Sequence, residues 1–148
     1  YPKSKVYAVT GLNFSVKQGE MIGIIGGTGS GKSTLVQMIP RFYDASEGEV
    51  FVDGVNVLDY DVESLREKIG IVMQKAVLFR GSVRENIQWG KTDATDKEIF
   101  DALEIAQAKE IVDGKEGGLD FIIAQEGKNL SGGHRQRMTI ARAVVKKP

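Results

Sequence analysis

The spacing of apolar residues along this 148-residue chain changes partway through. Residues 6 to 16, VYAVTGLNFSV, alternate loosely between apolar and polar, and the turn KQGE leads from them into the apolar run MIGIIG. Alternation followed by a short β-rich run predicts two strands. After a glycine-rich loop, Leu35, Met38 and Ile39 fall at helical spacing, and Pro40 marks where that helix stops, because proline has no N–H to donate to the carbonyl of the preceding turn. In EVFVDGVNV, Asp53-Gly54 lies between two alternating runs and predicts a hairpin. VESLREKI reads as a short helix and IGIVMQ as a buried strand. From Ser82 onward helices dominate: SVRENIQW is one, and TDKEIFDALEIAQA is a second, opened by Thr95 and Glu98 in a capping-box arrangement. Ile99, Leu103 and Ala106 share a face of that second helix, and Met138, Ala141 and Val145 share a face of a third, SGGHRQRMTIARAVVKK.

Composition narrows the classes of function. At this length, with 41% apolar residues, the chain has the makings of one ordinary domain. Twenty basic and twenty acidic residues cancel, which lacks the basic excess of a protein held on phosphate backbones, so nucleic acid is not expected as a partner. With no cysteine, neither disulfides nor thiolate metal sites are possible, which suits a reducing cytosol. No apolar run approaches the roughly 20 residues that cross a bilayer, and the first residues do not read as a signal peptide.

The chemistry concentrates in GGTGSGKST, residues 26 to 34. Gly26, four residues, then Gly31, Lys32 and Ser33 fit the phosphate-loop pattern G-x-x-x-x-G-K-[ST], placed between a predicted strand and a predicted helix as the motif requires. A nucleotide phosphate needs several converging backbone N–H groups, and Gly26, Gly27, Gly29 and Gly31, with Thr28 and Ser30 between, let the chain curl close to it. The helix N-terminus adds partial positive charge, Lys32 a full one, and the Ser33 hydroxyl, with Thr34 beside it, a ligand for Mg2+. The expected ligand is a purine triphosphate with Mg2+. Neither N-K-x-D nor D-x-x-G, the patterns of a GTPase, occurs.

NLSGGHRQRMTIARA, beginning at Asn129, closely resembles the signature of ATP-binding cassette (ABC) ATPases, L-S-G-G-Q followed by a basic helix. Leu130, Ser131, Gly132 and Gly133 match, and His134 replaces the glutamine. Gln74 sits where the family's Q-loop glutamine belongs, and LFRGSVRENI resembles exporter-type domains. Tyr1, 25 residues before Gly26, stands where such exporters place the aromatic that stacks on adenine, with Tyr7 the alternative. AQEGKN resembles the segment that senses the membrane partner. The resemblance, to the nucleotide-binding domain of an ABC exporter of multidrug or lipid type, covers essentially the whole chain.

The resemblance implies an α/β P-loop fold of ABC ATPase type: an antiparallel β subdomain, part of a parallel-sheet core and a helical signature subdomain, incomplete. Its parts would be residues 1–76, β subdomain and P-loop core; 77–130, helical subdomain; and 131–148, signature helix. It implies ATP and Mg2+ as cofactors, with Lys32 and Gln74 acting in catalysis and Ser33 and Gln74 toward the metal. Ser131, Gly132 and Gly133 would grip ATP bound to a second nucleotide-binding domain paired head to tail. A transmembrane domain would be the other partner, at the cytoplasmic face of the cell membrane. The residues themselves give Ser131 as a helix N-cap with position 134 at N3, where histidine weakens the capping box that glutamine would complete. Arg135, Arg137, Arg142, Lys146 and Lys147 read as a solvated helix face.

The family also needs four apolar residues followed by Asp-Glu to hold Mg2+ and polarise water, and a histidine downstream of the signature. No such acidic stretch occurs, VFVD at 50 to 53 belonging to the hairpin, and His134 is the only histidine. The chain therefore reads as a fragment that binds ATP without efficient turnover, expected either to belong to a longer polypeptide or to associate through unpaired strand edges. A soluble ABC ATPase acting on nucleic acid is the alternative, though chromosome-type members carry a long coiled coil between the two motifs and none is present.

Overall fold

The computed structural model describes residues 7–148. They form two compact units, one ending at Arg66 and one running from Glu67 to Pro148.

In the first unit the glycine loop leads into helix α1, Lys32–Met38, which ends just before Pro40 as expected. The hairpin forms at the predicted place: β1, Phe51–Val52, pairs antiparallel with β2, Val55–Asn56. Asp53 (φ 51°) and Gly54 (φ 77°) both take left-handed backbone, the requirement of a two-residue turn whose twist matches its strands. Helix α2, Val62–Glu67, follows, with the Asp61 carboxylate accepting from the Ser64 N–H (3.0 Å) and hydroxyl (3.2 Å). Arg66 donates to the carbonyls of Pro40 and Arg41, each at 3.0 Å, and so ties down the turn that follows α1.

The strands expected over the described part of 6–16, at MIGIIG and at IGIVMQ do not form. A strand exists only where a neighbour completes its ladder of N–H and C=O groups. Among the described residues the sheets are two antiparallel pairs, β1 with β2 and β3 with β4, and none offers a parallel edge to these runs. The apolar run consequently faces outward, with Met21 99% and Ile25 98% exposed.

The second unit holds the hydrophobic core. Its elements are β3 (Gly81–Ser82), α3 (Val83–Gln88), α4 (Asp96–Ile105), α5 (Glu110–Asp113), β4 (Ile122–Ile123) and α6 (Gly132–Val144), with short 3-10 turns at Gly118–Asp120 and Gln125–Gly127. Helices α3, α4 and α6 pack on one another around Val83, Ile87, Ile99, Leu103, Met138 and Ala141. Two capping boxes start helices here. Ser82 and Glu85 exchange bonds at the start of α3, and Thr95 and Glu98 do so at α4 as the sequence predicts. The two-residue pair β3–β4 joins Ser82 to Ile122 and places the chain just before the signature against the start of α3.

Candidate functional site

In the first unit, Gly31 is the residue before α1 and has φ 85°. A Cβ there would be strained and would also stand 2.6 Å from Ala8 O. The loop curls so that the Lys32 ammonium comes back over it, donating to Gly26 O at 2.6 Å, Gly27 O at 2.7 Å and Ser30 Oγ at 3.2 Å. All three ammonium donors thus rest on loop oxygens, and the charge is held where the loop converges. A Cβ at Gly26 would press on the Ser30 hydroxyl at 2.6 Å, whereas one at Gly27 would meet nothing within 4 Å. Gly27 is therefore not required by internal packing, which fits a loop approached closely from outside. Ser33 is exposed on the first turn of α1, a hard oxygen of the kind Mg2+ prefers, and Thr34 follows it half-buried. Thr28, Gly29 and Ser30 are exposed along the loop, Gly29 with φ 81°.

The second unit carries the remaining residues. Gln74 lies exposed in a bend. Ser131 caps α6, its Oγ accepting from the His134 N–H at 3.1 Å, so the expected N-cap and N3 positions are occupied. The box is only half built: the His134 ring turns instead to α5, its Nε2 3.1 Å from Glu110 Oε1. Arg137 donates to the same carboxylate oxygen at 2.5 Å and to Gln107 O at 3.0 Å. Ser131, Gly132 and Gly133 are exposed, and a Cβ on either glycine would meet nothing closer than 3.9 Å. Tyr1 lies outside the described residues; the alternative, Tyr7, is exposed and donates its hydroxyl to Glu47 Oε1 at 2.6 Å.

The arginines of α6 correct the solvated-face expectation. Arg135 donates to Leu130 O at 2.9 Å and fastens the residue before the signature serine. Arg142 donates to Asn86 O and Val77 O, and burial pulls its guanidinium below its ordinary pKa. The sequence reading missed Arg142 and Asn86, although a signal existed. Asn86 lies three residues after buried Val83, and Arg142 four after buried Met138, so both fall on core-facing stripes where a polar side chain must find partners.

Known proteins are similar throughout. The family model "ABC transporter" matches residues 9–148. An uncharacterized ABC transporter ATP-binding protein of Bacillus subtilis, YfiB, is 46% identical over the whole chain, which spans 26% of that protein. The ATP-dependent lipid A-core flippase of Chromobacterium violaceum is 40% identical over 99% of the chain and 25% of its own length. A solved bacterial Atm1-family ABC exporter with ATP bound superposes with a TM-score of 0.77 at 37% identity, over 82% of this chain and 21% of that one. The chain spans about a quarter of these relatives.

Proposed function

The chain belongs to the ABC transporter family and has the P-loop fold of its exporter ATPase domains, and on that premise we propose that it is an ATP-binding element that powers transmembrane export. Gly26–Thr34 would hold the triphosphate, Lys32 meeting its charge, with Ser33 and Gln74 toward Mg2+; the metal, when bound, neutralises phosphate charge. Ser131, Gly132 and Gly133 would receive the phosphate of ATP held by a second such domain paired head to tail. No helix among the described residues is long and apolar enough to cross a membrane. The crossing is assigned to a transmembrane domain partner, with this chain at the cytoplasmic face. Adenine would stack on Tyr1.

The observation that supports the reading most is the Lys32 ammonium, gathered over the loop by Gly26, Gly27 and Ser30. Lys32→Ala removes a charged hydrogen bond to phosphate, a loss of about 1.5–3 kcal/mol, or about ten- to a hundredfold in affinity. Titration with labelled ATP reads it, and unchanged affinity rejects the assignment.

Binding without turnover is a second part of the proposal. The 148 residues hold no apolar run ending in Asp-Glu and no histidine beyond His134, so the groups that position water and a second metal ligand are not supplied by this chain. Steady ATP hydrolysis by the chain alone is expected near background. Phosphate release that scales with its concentration and disappears in Lys32→Ala would overturn that expectation.

A further inference from the structure

Arg142 lies one turn beyond Met138 on the core-facing side of α6, where a guanidinium is tolerated only if its donors find acceptors. Its Nε donates to Asn86 O at 2.8 Å, one terminal nitrogen to Val77 O at 3.0 Å and the other to Asn86 Oδ1 at 3.1 Å. The guanidinium carbon also lies 5.6 Å from the centre of the Phe79 ring. Asn86 is 1% exposed and its amide is fully used. Its Nδ2 donates to Phe79 O at 2.9 Å and Ser82 O at 3.1 Å, and its Oδ1 accepts from the Phe79 N–H at 3.0 Å as well as from Arg142. Gly90, just past α3, lies so close that a Cβ on it would come within 2.0 Å of Arg142 O. The backbone from Val77 to Ser82, which begins three residues after Gln74, is thus bonded through one asparagine and one arginine to the helix that Ser131 caps.

We infer that Asn86 and Arg142 are positioning residues, a clamp that makes the segment following Gln74 and the signature helix α6 move as one body. Displacing α6 from α3 and this segment breaks three bonds to one guanidinium at once, two to Asn86 and one to Val77, and leaves a partly buried charge unpaired, so the pair holds a single geometry. Lysine cannot substitute, because one ammonium cannot fork to Val77 O and both Asn86 oxygens. The functional sense of the clamp rests on the proposed roles of Gln74 and Ser131 at nucleotide: what either one meets is delivered to the other. Its mechanics do not depend on those roles.

The chain has no cysteine, so Lys75→Cys and Gln136→Cys place spin labels on the loop and on α6 of the full chain. Pulsed electron–electron resonance is expected to give one narrow distance, broadened in Arg142→Lys and unchanged in Arg137→Gln, whose bonds run to Gln107 and Glu110. Amide exchange separates clamping from general stability: in Arg142→Lys the Phe79 N–H loses protection while α4 keeps its own. If Arg142→Lys does not fold, Asn86→Asp serves, since it keeps the guanidinium paired but gives up both donors to Phe79 O and Ser82 O; the same broadening is expected. An equally narrow distance in the folded variant, or protection lost evenly from Phe79 and α4, overturns the clamp. Neither measurement uses nucleotide, so failure of the ATP-binding reading would show separately, in the Lys32→Ala titration.

Discussion

A methyl group added at Gly90 would lie 2.0 Å from a backbone oxygen of α6, whereas one added at Gly133 would find nothing nearer than the Ser131 hydroxyl at 4.0 Å. Neither glycine has positive φ, so space alone separates them. Gly90→Ala cannot be relieved by moving a side chain; it must push α3 and α6 apart, at a cost of about 3 kcal/mol or more. Urea unfolding reads this as a lower midpoint, and a parental midpoint would mean that the two helices are not in such close contact. Gly133→Ala should act in the opposite direction. It removes a flexible residue from the first turn of α6 and stabilises the chain by up to about 1 kcal/mol. A lower melting temperature would show that Gly133 serves the fold, whereas a higher one supports its bareness serving a partner outside the chain.

The helices of the second unit owe their positions to caps as much as to apolar stripes. At α4, Thr95 and Glu98 exchange bonds, and Lys91 donates to Glu98 Oε1 at 2.5 Å. The Lys91 ammonium first, and the Thr95 N–H and hydroxyl after it, hold the Glu98 carboxyl at about 2, below its ordinary 4.5. Because the folded value is depressed, this contribution is fully present above the ordinary value and is lost as pH falls toward 2. Glu98→Gln keeps an acceptor for the box but cannot titrate. The variant is therefore expected to lose less stability than the parent between about pH 6 and about pH 3, measured as the difference between urea midpoints. An equal loss would assign the acid sensitivity elsewhere. The box at α4 was legible as T-x-x-E, whereas the box of Ser82 with Glu85 at α3 emerged only from the structure. The pair β3–β4 was not legible, since two residues show no alternation and its partners are forty positions apart.

The two units differ in how they are held. Every member of the buried cluster lies at or beyond Leu78, in the second unit, while the first leaves Met21, Ile22, Ile24 and Ile25 open to solvent. Contiguous exposed apolar surface binds hydrophobic dyes and other chains. Dye fluorescence on this chain is expected to be strong and to fall sharply in Met21→Lys with Ile25→Lys, with the far-UV helical signal unchanged because no helix contains either position. Undiminished fluorescence would place the sticky surface elsewhere.

What the residues settle by themselves is local. Helix spacing, the Thr95 cap and the Asp53-Gly54 turn each involve neighbours within a few positions, so propensity and short-range hydrogen bonds specify them without the rest of the molecule. The glycine loop and the start of α6 belong to the same class, because a tight loop and a helix N-terminus are built from consecutive residues. Tertiary structure alone decided whether MIGIIG and IGIVMQ become strands, since a strand needs a distant neighbour for its ladder, and among the described residues neither run has one. It also decided what α6 does with its arginines. Charge in the sequence put Arg142 in water, and packing put it against Asn86 and Val77, because a guanidinium facing the core must take whatever carbonyls the facing elements present.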